Sequence, residues 1–329
     1  MSTRFMARRD DRMRMTFSGA GAKAAVGGLV TNDVVALTPG HGQRAAALTV
    51  KGRVIAVVRV FDRADDLLID SEARSGDGFV AMIKKFVNPR LAKYTVITEQ
   101  TGCLGVYGDG AASAIVTACA GIESADTTLL IDASALTSLG AHALVTVGVG
   151  DSSLTIVHSV DFALPGFDVM GPRAQIDALQ SVLIANGWPL ADDASLEASR
   201  IEAGLPAWGV EMNDETLAQE AALDALGAIS FSKGCYTGQE VVARIHFRGH
   251  VNRLLRRLTS STSLPVGALV YDEAGAEVGD VRSTAVSATR GPLAIAMIRR
   301  EVAVGSRVSV RAVDVGMSAH QSAVVEALA

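Results

Sequence analysis

The spacing of apolar residues switches along the chain between a period of two and a period near 3.6, and the switches mark its elements. Arg53 to Phe61 (RVIAVVRVF), Asp66 to Ser71 and Lys93 to Glu99 predict strands. Gly76 to Asn88 predicts an amphipathic helix with Phe79, Met82, Ile83 and Phe86 on one face. Three segments share a plan of short strand, glycine turn and alanine-rich helix: Met15 to Val30, Leu104 to Ala120 and Phe167 to Leu183. Their glycines permit a tight strand-to-helix turn. From Thr127 to Ser159 the pattern favours strands (TTLLIDAS, ALVTVGVG, LTIVHSV). This is α+β material with βαβ-like local order.

The pattern changes after a boundary near Gly249 to Asn252. Val251 to Ala329 is a train of short strands separated by turn signals, with Asp272 to Ala276 as a hairpin loop carrying Gly275. Such spacing predicts a small β-barrel or sandwich domain.

Composition narrows the class. A chain of 329 residues forms two or three compact units, and 49% hydrophobic with 20% charged residues supplies ample core. A net charge of −5 gives no reason to expect nucleic-acid binding over the whole surface. Cys103, Cys119 and Cys235 are widely spaced, make no CxxC pair and are odd in number, which argues against a disulfide framework and for a reducing cytoplasm. The first 15 residues carry five arginines, but Asp10 and Asp11 accompany them and no apolar stretch follows, so neither a signal nor a transit peptide is expected. No apolar run approaches the length of a membrane-spanning helix.

Few familiar chemical motifs are present. Gly19-Ala20-Gly21-Ala22-Lys23-Ala24 fits a dinucleotide fingerprint, but the strand before it is short and Asp33 follows too early for a ribose-binding carboxylate. His142, His158 and His320 are isolated, so no metal site is legible. Lys233-Gly234-Cys235-Tyr236-Thr237-Gly238-Gln239-Glu240 is richer. Thr237 as N-cap and Glu240 as its N3 partner form a capping box, with Cys235 two residues ahead. Unpaired N–H groups, the helix dipole and Lys233 would favour a thiolate there; the competing reading is a small buried Cys in a glycine-containing turn. Arg244, Arg248, Arg253, Arg256 and Arg257 follow, with His246 and His250 and no acid. Glu240 and Arg244 are spaced to pair. The run reads either as a solvated edge or as an anion-capturing surface; RNA ranks lower, because Phe247 is its one interleaved aromatic. Glu202 lies in an apolar, turn-forming segment, where a carboxylate can accept paired N–H donors from an aminopyrimidine ring or form an ion pair with Arg200.

Together these residues resemble a known family, the YgfZ-type folate-binding proteins, relatives of the glycine cleavage system aminomethyltransferases. Lys233 to Glu240 resembles its KGCYxGQE signature, and Arg200 to Pro206 its R-x-E-A-G-x-P. Thr31-Asn32-Asp33-Val34, Pro39-Gly40, Lys51-Gly52 and the run ending in Arg248-Gly249 match in order. The departures are informative. Where the aminomethyltransferases carry a paired Asp, this chain reads RVIAVVRVF, with no acid before Asp62, and Arg44 stands where a tyrosine is expected. Proton handling at the folate nitrogen then has no evident agent.

The resemblance implies an α+β three-unit cloverleaf with a ferredoxin-like insert and a C-terminal β-barrel. Residues 1–250 would form the folate-binding region (1–48 plus 123–250, around an insert at 49–122), and 251–329 the barrel. It implies tetrahydrofolate as cofactor, held by Glu202, with Arg200, Asn32, Asp33, Lys233, Gln239 and Arg248 as further binding candidates. It implies an accessory protein supporting iron–sulfur cluster assembly or repair, including that of tRNA-modifying enzymes, with Cys235 as the functional thiol or a transient cluster ligand. The partners would be iron–sulfur assembly proteins or client enzymes in the cytoplasm, without direct nucleic-acid or membrane contact. The alternative is a folate-dependent one-carbon transferase in which Asp62, Asp33 or Glu202 replaces the missing acid.

Overall fold

A computed structural model describes residues 4–122, 131–149, 151–312 and 321–328. The first elements are β1 (Arg4–Arg8), β2 (Arg12–Ser18), α1 (Ala22–Leu29), β3 (Gly42–Leu48), β4 (Val54–Asp62), β5 (Leu67–Glu72), α2 (Ala73–Phe86) and β6 (Lys93–Val96). There follow β7 (Thr101–Gly108), α3 (Ala111–Ile122), α4 (Ala133–Thr137), β8 (Leu144–Val149), β9 (Ser152–Ser159), β10 (Gly166–Pro172), α5 (Arg173–Ala185), α6 (Asp193–Ala203) and α7 (Gln239–Arg248). The chain ends in β11 (Arg253–Ser260), β12 (Leu269–Tyr271), β13 (Glu277–Ser287), β14 (Gly291–Arg299), β15 (Arg307–Arg311) and β16 (Gln321–Glu326). Residues 1–45, 57–160 and 164–192 form one compact unit; 46–56, 161–163 and 193–329 form the other. No helix among the described residues is long and apolar enough to cross a membrane.

In the first unit, β1-β7-β10-β9-β8 form one five-stranded sheet. β7 pairs antiparallel with β1 and β10, β10 with β9, and β9 with β8. The sheet is therefore antiparallel, and the βαβ-like order read from the sequence does not yield parallel strands. Helices α3, α4 and α5 cover one face, burying Leu104, Val106, Ile115, Leu136, Ile156, Val169, Ile176 and Leu183. On the other face Cys103, Leu144, Val157 and Met170 pack with Phe61 and Leu68, from β4 and β5. Those two strands belong to the second sheet, β3-β4-β5-β2-β6.

The interior of this unit also holds charge. Arg59 on β4 lies within hydrogen-bond reach of two buried carboxylates. Its Nε donates to Asp70 Oδ1 at 2.9 Å and its Nη1 to Asp168 Oδ2 at 2.5 Å. Arg12 closes a second fork on Asp70, at 2.8 and 2.9 Å. The hydroxyl of Tyr107 donates to Asp168 and accepts from Arg9 Nη1 at 3.2 Å. Arg59, Asp70 and Asp168 are each at most 1% exposed. Burial opposes ionisation of Asp70, but the pull of Arg12 and Arg59 outweighs it and holds the carboxyl well below the usual range. The same burial, reinforced by Asp168, pushes the Tyr107 hydroxyl up.

The glycines of Gly19-Ala20-Gly21 have a packing role. Gly19 adopts φ +104°, Gly21 N–H donates to Leu91 O at 3.0 Å, and a Cβ at Gly21 would meet Leu91 O at 2.9 Å. Close approach of the 88–92 turn requires them. Of the three strand–turn–helix repeats, the third differs: Gly171 lies inside β10 and α5 follows Pro172 directly. The first half of the strand expected at TTLLIDAS lies outside the described residues. The last two residues of that segment begin the short helix α4, because Asp132 caps it by accepting from Ala135 N–H at 2.7 Å. His320 also lies outside the described residues.

In the second unit β11-β14-β13-β12-β15-β16 close into a barrel around Leu258, Val270, Val281, Ala296, Ile298, Val310 and Val325. Asp272 to Ala276 is the expected hairpin loop: Gly275 adopts φ +82° and Asp272 Oδ1 accepts from Ala276 N–H at 2.8 Å. Helix α7 starts at Gly238, which sits at φ +85° with no side-chain cap. A Cβ there would lie 2.5 Å from Thr49 O, in the turn between β3 and β4. Thr237 is therefore not the N-cap, and the capping box does not form.

Three predictions concern stability. Arg59→Met should lower the unfolding free energy by about 3–5 kcal/mol by stranding buried carboxylates, whereas Arg63→Met, breaking the half-exposed bridge to Asp66, should cost under about 1 kcal/mol; urea unfolding compares them. Asp70 ionises more readily folded than unfolded, so its contribution is complete above the ordinary Asp value of about 3.9 and is lost progressively as pH falls from there toward the lowered value of the folded state. Acid titration of stability should show that loss in the native chain and a flatter curve in Asp70→Asn. Gly238→Ala should cost about 1 kcal/mol or more, from its positive φ and the close Thr49 carbonyl, read by thermal unfolding.

Candidate functional site

The loop before α7 presents one thiol. Cys235 is exposed, whereas Cys103 and Cys119 are buried. Burial, with Asp168 nearby, pushes the Cys103 thiol far up, so it is inert as a nucleophile. The reading of Cys235 as a small buried residue is thereby overturned. Lys233 Nζ lies 5.1 Å from the centre of the Tyr236 ring, and the Lys233 N–H donates to Ser230 Oγ at 3.3 Å. Tyr236 is buried, which pushes its hydroxyl up to about 12. These two flanking side chains pack the loop and leave Cys235 at the surface between them. Helix α7 begins at Gln239, four positions after Cys235. The dipole and free N–H groups act within the first turn, so they do not reach the thiol as the capping box implied.

Arg200 and Glu202 sit on the last turn of α6 and do different things. Arg200 donates to Glu197 Oε2 at 2.9 Å, to Glu211 Oε1 at 2.9 Å and to Leu205 O at 2.5 Å. Burial alone would lower its pKa, but hydrogen bonds to Glu197 and charge attraction from Glu211 raise it, so it stays charged. Glu211 in turn accepts from Ala207 N–H at 2.7 Å and from the Ser283 hydroxyl on β13. Arg200 thus pins the 204–211 turn to α6 and holds no free donor fork for a ligand. Gly204 makes that turn possible: it adopts φ +72°, and any Cβ would collide with Leu328 O.

Glu202 is oriented by hydroxyls from the barrel. Ser287 Oγ donates to Oε2 at 2.6 Å and Thr289 Oγ1 to Oε1 at 2.5 Å. Arg257 Nη1 holds the Glu202 carbonyl at 2.7 Å. A carboxylate has roughly four acceptor positions. One hydroxyl on each oxygen leaves each with about one open position, side by side, which suits two parallel N–H donors. The local sequence gives no signal of these hydroxyls, 85 and 87 residues away.

Asn32 and Asp33, in the first unit, form a turn. Asn32 Nδ2 donates to Arg44 O at 2.9 Å, its Oδ1 accepts from Asp33 N–H at 3.0 Å, and Asp33 Oδ1 accepts from Ala36 N–H at 3.2 Å. Asp62 is buried and paired with Lys23 Nζ at 2.6 Å. The strand that lacks the expected acids instead carries Arg59.

The arginine run divides on folding. Arg253 pairs with Glu220 at 2.8 Å and Arg257 with Glu326 at 2.9 Å. Arg244 and Arg248 are exposed and have no carboxylate partner among the described residues; the expected Glu240–Arg244 pair is not formed. Lys51 and Arg53, outside the run in sequence, line the same cleft as Arg244 and Arg248. No group of three or more metal-ligating side chains occurs among the described residues.

No protein-family profile matches the chain. Individual relatives do. The tRNA-modifying protein YgfZ of Klebsiella pneumoniae (strain 342) is 31% identical over 255 residues, and that of Escherichia coli O157:H7 is 31% identical over 265. The same protein of Enterobacter sp. (strain 638) is 30% identical over 255. Each match covers 77% of this chain and 71% of the relative. Among solved structures, the glycine cleavage system aminomethyltransferase T of Bartonella henselae superposes with a TM-score of 0.83 at 17% identity, over 99% of this chain and 85% of that one. The fold is therefore that of an aminomethyltransferase, and the chain belongs to the YgfZ family.

Proposed function

We propose that the chain is a tetrahydrofolate-binding accessory protein for iron–sulfur cluster assembly or repair, serving tRNA modification through cluster-dependent client enzymes in the cytoplasm. The observation that carries this reading is the exposure of Cys235, alone of three cysteines, within the signature loop Lys233–Glu240.

The residues present fit the cofactor at one point. Glu202, held by Ser287 and Thr289, has the acceptor geometry for the two N–H donors of a folate aminopyrimidine edge. Arg200 shapes the adjoining turn, and Asn32 and Asp33 shape theirs. Lys233, Gln239 and Arg248 remain candidates for the cofactor's anionic end. Folate, when bound, supplies a carrier for one-carbon units. The cluster would be cargo. Cys235 offers one soft thiolate ligand, and a partner must supply the others. Of the three acids open to the one-carbon transferase reading, Asp62 is held by Lys23 and Asp33 caps its own turn, which leaves that reading Glu202 alone.

Anaerobic calorimetric titration tests the cofactor assignment. Wild-type protein should bind tetrahydrofolate, and Glu202→Ala should weaken binding by about 10- to 100-fold, the loss expected for hydrogen bonds to a charged group, with its unfolding midpoint measured alongside. Unchanged affinity in a folded Glu202→Ala protein would remove Glu202 from the site. Cys235→Ser should retain folate affinity while abolishing support of iron–sulfur enzymes in complemented cells; full support by that variant would refute the role of the thiol.

A further inference from the structure

The cleft where the turn between β3 and β4 meets α7 carries chemistry of which the folate reading uses only Arg248. It measures about 730 Å³ and lies wholly within the second unit. Lys51, Arg53, Arg244, Arg248 and Arg253 line it, with Glu215 and Glu220 as the acids. Five cations against two anions is a local excess opposite in sign to the chain's net −5. Glu220 is already engaged by Arg253 and by Leu217 N–H at 3.0 Å. Lys51, Arg53, Arg244 and Arg248 are all exposed, and among the described residues none has a carboxylate partner. Four unpaired cations facing one groove repel one another, and a bound polyanion relieves that repulsion.

The backbone fixes these cations in place. Val54 N–H donates to Thr216 O at 2.9 Å and Ala218 N–H to Gly52 O at 3.2 Å, zipping the turn onto the 216–218 segment. A Cβ at Gly52 would lie 2.9 Å from Val241 Cγ1, so the turn abuts α7 directly. Arg244 and Arg248, one helical turn apart, then project beside Lys51 and Arg53.

Outside the cleft lining, α7 carries two aromatic side chains: Phe247, three residues from Arg244, lies next to the cations, whereas His246, two residues from both Arg244 and Arg248, lies on the other side of the helix. The rings of Phe231 and His246 stack with centroids 3.6 Å apart and planes 14° off parallel, and Phe247 meets His246 edge-on at 4.7 Å. Phe247 is 67% exposed. A cationic groove with an exposed aromatic ring beside it is an arrangement that tracks a phosphodiester backbone while an unpaired base stacks.

We infer that Lys51, Arg53, Arg244 and Arg248, with the exposed Phe247 beside them on α7, form a binding site for single-stranded nucleic acid. This revises the expectation of no direct nucleic-acid contact and does not rest on the folate reading. Fluorescence anisotropy with a labelled 12-nucleotide oligouridylate tests it on the full chain. Binding should weaken with salt at a log–log slope of about −3, from four phosphate contacts at roughly 0.7 each on a single strand. Arg53→Glu/Arg244→Glu should lose at least about 10-fold in affinity at low salt and flatten that slope. Phe247→Ala, at an exposed position where the fold is not at stake, should lose about 5- to 100-fold with the slope unchanged. The inference is overturned by absence of binding at about 50 mM salt, or by affinity that neither variant alters. It is equally overturned if a duplex of the same length binds as tightly, or if a glutamate oligopeptide of equal charge displaces the oligonucleotide. The last two outcomes would assign the cleft to bare charge or to a protein acid tail.

Discussion

Asp168 is wholly buried, Asp70 nearly so, and an ionised carboxylate in such a place is stable only if cations follow it inside. Arg59 does so by bridging both, Arg12 by a second fork on Asp70, and Tyr107 by a hydroxyl donated to Asp168. The strands concerned are β2, β4, β5, β7 and β10, drawn from both sheets of the first unit. Because Arg forks accept carboxylates only in a fixed geometry, the network sets the register between these strands more sharply than Phe61, Leu68 and Met170 do. Apolar side chains of similar volume tolerate small slips; a stranded buried charge does not. Three of the five arginines near the N-terminus, Arg9, Arg12 and Arg14, are thus interior groups.

The second unit uses a smaller version of the same device. Arg200 joins Glu197, Glu211 and Leu205 O, and Glu211 reaches Ser283 on the barrel. This fixes the end of α6 and the glycine turn after it. Glu202 lies on that same last turn, so its carboxylate inherits the rigidity, and Ser287 and Thr289 set its orientation. An acceptor pair held in advance loses little entropy on meeting a ligand. Cys235, by contrast, sits in a loop whose flanks are packed and whose thiol is open, which suits a group that must meet a partner rather than enclose a small molecule.

Much was legible from pattern. Arg53 to Phe61 reads as a strand because its alternation is strong, and the train of strands after Val251 reads as a barrel or sandwich because turn signals punctuate it evenly; closure into a barrel is what the fold added. The cap of α7 was misread, since T-x-x-E matches a local rule that the Thr49 carbonyl overrides: only glycine fits at position 238, and the helix starts one residue later than the box requires. TTLLIDAS was misread over its last residues because Asp132 caps a helix there. Local propensity loses wherever one backbone contact from a distant segment fixes the chain's path.

Sequence pattern alone marked the candidates for chemistry: one cysteine in a lysine- and glycine-bounded loop, one glutamate in a turn-forming segment, and a run of arginines. These are chemical identities, and folding does not alter them. Only the tertiary structure decided their state. It buried Cys103 and Cys119 and exposed Cys235; it satisfied Arg200, Arg253 and Arg257 while leaving Arg244 and Arg248 unpaired; it brought Lys51 and Arg53 to them from a distant turn. The physical reason is that burial, pairing and field depend on neighbours far away in sequence, and no window along the chain contains them.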